Sequence, residues 1–283
     1  MNFKDFYNFD LLNECTSVGL SVNGSMILAK NRDRTYCPRI KLVREIVNGL
    51  EIAYMYDEDT DYAEGMNEKG IGIVNTTLQG KQDEKEGHKT KKRTRLSRDG
   101  FKIRTALGFD NVGEVIKSLD LFDRGLGGHT IIGSPEGIWS IEKLSFGKPT
   151  ISKQQEGEVI VRTNHGIAYP DQGYQKGDDR ESSLSRSMLA QKEARKATCP
   201  SDLLELLRRH HKGVQGFLEP YRTNYKVWTS SQILLDLTNL KMTFVVDENT
   251  NFLGIENRLP LDYKPKIQID IEKLETLFVT TSV

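Results

Sequence analysis

Residues 15–33 read CTSVGLSVNGSMILAKNRD. Two strand-like runs, 15–22 and 25–30, flank Asn23-Gly24. Asn-Gly accepts the positive φ values of a type I′ turn, whose twist matches that of paired strands. The stretch therefore predicts a tight β-hairpin. The device recurs downstream, where residues 39–47 (RIKLVREIV) and 50–56 (LEIAYMY) flank Asn48-Gly49. A further strand is expected over 70–77 (GIGIVNTT). Antiparallel pairing returns Lys30 and Asp33 to about the level of Cys15, so a thiol, an ammonium and a carboxylate share one end of the first hairpin.

Further along, residues 81–99 (KQDEKEGHKTKKRTRLSRD) lose nearly all apolar character and read as a solvated loop. A lid or a basic patch for an anionic partner are the alternatives there. Helical period returns over 101–109 and 111–122, where Val112, Val115, Ile116 and Leu119 share a face. Strands are expected over 129–133, 137–143 and 157–163, and a helix over 178–197 capped by Asp178 or Asp179. Ser201 can cap another helix carrying Leu203, Leu204, Leu206 and Leu207, and 227–237 with 241–246 reads as a closing hairpin. Strands and helices in separate runs favour α+β over a doubly wound sheet. No linker-like stretch divides the chain, which points to one domain.

Composition narrows the function. The 283 residues carry 40 Lys plus Arg and 40 Asp plus Glu, a net charge of zero, which argues against nucleic acid as a partner. Hydrophobic residues make up 37%, enough for a large core. Cys15, Cys37 and Cys199 are few and far apart, with no Cys-x-x-Cys pair, so neither a disulfide framework nor a zinc site is expected. There is no Gly-x-Gly-x-x-Gly and no Gly-Lys-Ser/Thr loop, and no cofactor is expected. No run of 18 uncharged apolar residues exists, and residues 1–14 (MNFKDFYNFDLLNE) lack the apolar core of a secretory signal. The chain reads as soluble and cytoplasmic, with no membrane partner.

Alone, Cys15 reads as readily as a small buried apolar side chain, and Asp33 as a turn residue. A series of short motifs in order is more specific. Ala29-Lys30-Asn31-Arg32-Asp33 comes after Cys15-Thr16, and then Glu64-Gly65-Met66-Asn67-Glu68-Lys69-Gly70-Ile71-Gly72-Ile73-Val74-Asn75. Arg162-Thr163-Asn164-His165, Ser182-Ser183-Leu184-Ser185-Arg186 and Trp228-Thr229-Ser230-Ser231-Gln232 complete the series. This ordered set resembles the cysteine N-terminal nucleophile (Ntn) hydrolases of the linear amide group. That group includes choloylglycine hydrolases, penicillin V acylases and acyl-coenzyme A:6-aminopenicillanic acid acyltransferases. The resemblance implies a four-layer αββα sandwich, the Ntn hydrolase fold.

The resemblance also implies a chemistry. Residues 1–14 would be a pro-segment removed by cleavage of Glu14–Cys15, leaving 15–283 as the single domain. The Cys15 thiol would then attack an amide carbonyl while its own α-amine, with a pKa of roughly 8, moves the proton. Asp33 would hold that amine, Asn75 and Asn164 would sit by the reacting carbonyl, and Arg186 would orient this shell. Lys30 stands where bile-salt and penicillin V enzymes carry Arg, which leans toward the acyltransferase-like branch. It keeps a positive charge but loses the planar fork. If cleavage does not occur, His165 is the fallback base. The expected substrate is a small-molecule linear amide of the N-acyl amine or N-acyl amino acid type, with acyl transfer to an amine as the other outcome and a homo-oligomer left open. A contrasting expectation is a non-catalytic interaction protein whose basic segment 89–98 binds an anionic partner.

Overall fold

The computed structural model describes residues 13–78, 89–120, 127–144, 148–171, 177–224, 227–248 and 250–274. Most of the 1–14 segment, residues 81–88 of the expected loop and the end of the expected helix at 121–122 lie outside the described residues.

Both Asn-Gly turns form as expected. Strands β1 (Asn13–Val22) and β2 (Ser25–Arg34) meet at Asn23 and Gly24, with φ of 47° and 83°. Strands β3 (Arg39–Val47) and β4 (Leu50–Asp57) meet at Asn48 and Gly49, with φ of 51° and 83°. The chain continues through β5 (Tyr62–Asn67), β6 (Gly72–Thr76), β7 (Gly128–Ser134), β8 (Gly137–Lys143), β9 (Thr150–Lys153) and β10 (Ile160–Arg162). After them come β11 (Thr223–Asn224), β12 (Val227–Asp236), β13 (Lys241–Asp247), β14 (Asn251–Asn257) and β15 (Gln268–Leu274). The helices are α1 (Lys89–Ala106), α2 (Val112–Asp120), α3 (Gly177–Ala194) and α4 (Pro200–Arg208).

Several boundaries differ from expectation. Helix α1 begins at Lys89, so the second half of the expected loop is helical and most of the basic run lies on its first turns. The side chains of 89–97 lie outside the described residues. Helix α4 is capped by Cys199, not Ser201. The Asp202 carboxylate turns back to accept from the Thr198 and Cys199 amides at 2.8 and 3.0 Å, and Pro200 fills the first helical position.

Seven strands make one sheet in the order β10-β1-β2-β12-β13-β15, with β11 against β12. Eight make the other, β14-β3-β4-β5-β6-β7-β8-β9. Strands β1 and β2 face β6 and β7 across the sandwich. Helices α3 and α4 cover the first sheet, and α1, with α2 against it, covers the second. The expected four-layer αββα sandwich is therefore what the chain forms.

Two apolar cores follow from these layers. One joins the facing surfaces of the sheets, through Leu28, Ile73, Ile131, Ile233 and Leu235, to the layer under α1 and α2. The other lies between the first sheet and α3 with α4, through Val18, Ile27, Ala190, Leu204 and Leu207. Each Val, Leu or Ile among them contributes roughly 1.5–3 kcal/mol on leaving water. The sheets approach closely because Leu237 enters a notch over two glycines. A β-carbon on Gly133 would lie 2.4 Å from Leu237 Cδ1, and one on Gly72 would lie 2.6 Å from Cδ2.

Candidate active site

Register decides which side chains meet. In the first hairpin Cys15 pairs with Arg32, Ser17 with Lys30 and Glu14 with Asp33. Side chains alternate along a strand, so Cys15, Ser17, Lys30, Arg32 and Arg34 belong to the face toward the second sheet. Glu14, Thr16 and Asp33 belong to the face under helix α3. The chain is continuous through Glu14–Cys15, and the backbone at that bond runs between the two groups.

On the helix side, Arg186 of α3 is fully buried and gathers the site around its guanidinium. Its Nη1 donates to the Cys15 carbonyl at 2.8 Å and to Thr16 Oγ1 at 3.1 Å. Its Nη2 donates to Glu14 Oε2 at 2.9 Å and to Asn164 Oδ1 at 3.0 Å. The same Asn164 oxygen accepts the Cys15 amide at 3.3 Å, and Asn164 Nδ2 donates to the Thr77 carbonyl at 2.9 Å. Asn164 follows β10, the neighbour of β1, and its own amide is held by Ser183 Oγ of α3 at 2.9 Å. The Ser-Ser-x-Ser-Arg run thus places Ser183 on Asn164 and, three residues on, Arg186 on Cys15.

Asp33 is buried in the same layer. Its Oδ1 accepts from Thr229 Oγ1 at 2.8 Å, and Oδ2 lies 3.6 Å from Arg186 Nη1 with no hydrogen-bond partner among the described residues. Burial raises the Asp33 pKa above the usual carboxylate range, against the opposing pull of Arg186 and Arg222.

Arg222 was not anticipated. Its Nη1 donates to Glu14 Oε2 at 2.6 Å and its Nη2 to Ser182 Oγ at 3.3 Å. It sits in the segment leading into β11, where a lone arginine in Tyr221-Arg222-Thr223 carries no periodic signal.

The sulfur side has a different cation from the one expected. Arg34 Nη1 lies 3.8 Å from Cys15 Sγ, 3.3 Å from the Glu14 carbonyl oxygen and 2.7 Å from the Asp33 carbonyl oxygen. Lys30 turns instead to Glu64 Oε2 at 2.5 Å, the Asn75 carbonyl at 2.6 Å and the Tyr62 hydroxyl at 3.4 Å. Lys30 therefore joins a buried charge cluster with Arg32, Asp57 and Glu64, which links the two sheets beside the thiol. Asn75 commits its Nδ2 to the His129 carbonyl at 3.1 Å and Thr130 Oγ1 at 2.9 Å. His165 is committed elsewhere: its Nδ1 meets Thr163 Oγ1 at 3.0 Å and Ser183 Oγ at 2.9 Å. Burial and the nearby Arg180 and Arg186 lower its pKa to about 4.

Cys15, Asp33, Asn164 and Arg186 thus come together, Lys30 and Asn75 form the adjoining layer, and Arg34 and Arg222 join them. Among the described residues, no group of three or more His, Cys, Asp or Glu side chains is arranged to hold a metal. No helix there is long and apolar enough to cross a membrane. Two surface concavities, one around Tyr54, Tyr56 and Arg104 and one around Leu184 and Met188, are lined by neither Cys15 nor its partners.

The model of the acyl-coenzyme A:6-aminopenicillanic acid acyl-transferase family matches residues 21–251. That span includes Lys30, Asp33, Asn75, Asn164, Arg186 and Arg222, and Cys15 stands just before it. No curated protein matches the chain. Among solved structures it is similar to the penicillin V acylase from Agrobacterium tumefaciens, at 11% identity over 90% of this chain and 99% of that one, with a TM-score of 0.45. Likeness at that level carries no weight for the activity.

Proposed function

The chain belongs to the acyl-coenzyme A:6-aminopenicillanic acid acyl-transferase family, and from that premise we propose that it is a self-processing cysteine amidohydrolase. Its substrate is a linear non-peptide amide, of the N-acyl amine or N-acyl amino acid type. The observation that carries this reading is the grip of Arg186 on both sides of the Glu14–Cys15 bond, through Glu14 Oε2 and the Cys15 carbonyl.

Self-processing comes first. Cys15 Sγ adds to the Glu14 carbonyl carbon, the Glu14–Cys15 C–N bond breaks, and the released amine takes the thiol proton. Water then hydrolyses the thioester, freeing residues 1–14 with a carboxyl end and restoring the thiol. Arg34, 3.3 Å from the Glu14 carbonyl oxygen, offers positive charge to the oxyanion that forms there.

Turnover repeats the same steps on a substrate amide. The thiol attacks, the Cys15 α-amine accepts its proton and returns it to the leaving nitrogen, and an acyl-thioester remains. Water releases the acid, or a second amine takes the acyl group. Asn164, which holds the Cys15 nitrogen in the intact chain, stays within reach of the new amine. Asp33 and Arg186 supply the charges around it.

Intact mass and N-terminal sequencing of the purified protein, beside a Cys15→Ala control, test the reading. Loss of residues 1–14 in the wild type and their retention in the variant are expected. Turnover of N-acyl amines with and without an added amine acceptor then separates hydrolysis from transfer. A Cys15→Ala protein with full amidase turnover would overturn the proposal.

A further inference from the structure

The Glu14 carboxylate occupies a pocket that self-processing would empty. Its side chain is 2% exposed, and Oε2 lies 2.6 Å from Arg222 Nη1 and 2.9 Å from Arg186 Nη2. Both guanidinium groups are buried, and among the described residues Asp33, 3.6 Å from Arg186, is the other carboxylate against them. In the intact chain two cations therefore face two carboxylates. Departure of residues 1–14 removes one of the carboxylates and leaves the guanidinium charges in excess. A buried cation short of a partner is expensive, so the emptied pocket favours a ligand that restores the carboxylate.

The position of that carboxylate follows from covalent geometry. Glu14 supplies the carbonyl that Cys15 attacks, and its carboxylate lies four carbons beyond that carbonyl carbon. A substrate acyl group is attacked by the same sulfur. We infer that the mature enzyme acts on amides whose acyl group ends in a carboxylate at glutamate length, the glutaryl class, with Arg186 and Arg222 as its receptor. This rests on the reading of Cys15 as a matured nucleophile.

The test uses processed enzyme, verified by mass, with glutaryl, glutaramoyl and pentanoyl 4-nitroanilides. Glutaramoyl keeps the shape and removes the charge. Charge-assisted hydrogen bonds of this kind predict a kcat/KM about 10- to 100-fold higher for glutaryl than for glutaramoyl. Arg222→Lys should shrink that ratio through KM. Free glutarate should also raise the melting temperature where the neutral diamide glutaramide does not, a readout independent of turnover.

Equal rates for the three anilides, or faster pentanoyl turnover, overturn the inference and leave the amidase reading standing. A glutarate shift without turnover of any anilide supports the pocket and counts against the amidase reading. Absence of both turnover and shift overturns the inference, as does a chain that keeps residues 1–14, because its pocket is never vacated.

Discussion

Arg186→Met, made in a Cys15→Ala background so that Glu14 stays attached in every sample, measures what the central arginine holds. The substitution keeps an unbranched side chain but removes donors to the Cys15 carbonyl, Thr16 Oγ1, Glu14 Oε2, Asn164 Oδ1 and Ser182 Oγ, which lie at 2.8, 3.1, 2.9, 3.0 and 3.3 Å. Glu14 then keeps the Arg222 guanidinium, and Asp33 keeps its hydrogen bond from Thr229. Breaking a buried ion pair by removing one partner costs about 3–5 kcal/mol. At roughly 2–4 °C per kcal/mol for a large domain, the melting temperature should fall by about 10 °C. Scanning calorimetry reads the loss. A cycle with Glu14→Gln then isolates the pair, for which a coupling of about 1 kcal/mol or more is expected. A fall under about 2 °C, or strictly additive single effects, would refute the view that Arg186 is the electrostatic centre of the site.

The other expectations concern the surrounding layers. Lys30→Met should destabilise by about 3–5 kcal/mol by taking from Glu64 its nearer cation, with Arg32 left at 3.5 Å, and Glu64→Gln added to it should recover part of that. An unchanged denaturation midpoint for the single variant would remove Lys30 from the buried cluster. Gly133→Ala forces a methyl against Leu237 Cδ1 and should cost about 1–3 kcal/mol, with partial relief from Leu237→Val; no loss in urea unfolding would mean that the notch has slack. Burial holds His165 at a pKa of about 4, below the roughly 6.5 of an unfolded histidine. Between those values the unfolded chain binds more protons, so stability falls as pH drops from 6.5 toward 4. His165→Gln should show a shallower melting-temperature decline over that window, and an identical decline would contradict the assignment.

The sequence was most legible where one local rule dominated. Asn23-Gly24 and Asn48-Gly49 specify their hairpins because few other dipeptides accept two successive positive φ values. Antiparallel pairing then carried Lys30 and Asp33 to within two residues of Cys15 in register. Side-chain destinations were less legible. Lys30 and Arg34 lie on the same strand face, and only the facing sheet, with Glu64 on β5, decides that Lys30 turns away while Arg34 stays at the sulfur. Arg222 escaped notice because its partner, Glu14, lies 208 residues away, beyond any local pattern. Strand β5 reads Tyr62–Asn67 with every residue buried, so it lacks the alternation that marks a half-exposed strand. Edge strands β14 and β15 draw their pairing from β3 and β13 in parallel, which no short-range signal encodes.

Strand β1 lies inside its sheet, between β10 and β2. Of its ten registered pairs with β2, the first two, Asn13–Arg34 and Glu14–Asp33, precede the Glu14–Cys15 bond, and the other eight follow it. A chain cut there would begin inside a paired strand, on a residue already in register with β2. Chain ends usually fray, and an amine on such an end spends little time in any one orientation. Here the torsions that would scatter it are already fixed by the hairpin, so the entropy of placing base beside nucleophile is settled during folding and not at each turnover. Nucleophile and base, carried on one residue, would act at a high effective molarity that no diffusing amine could match.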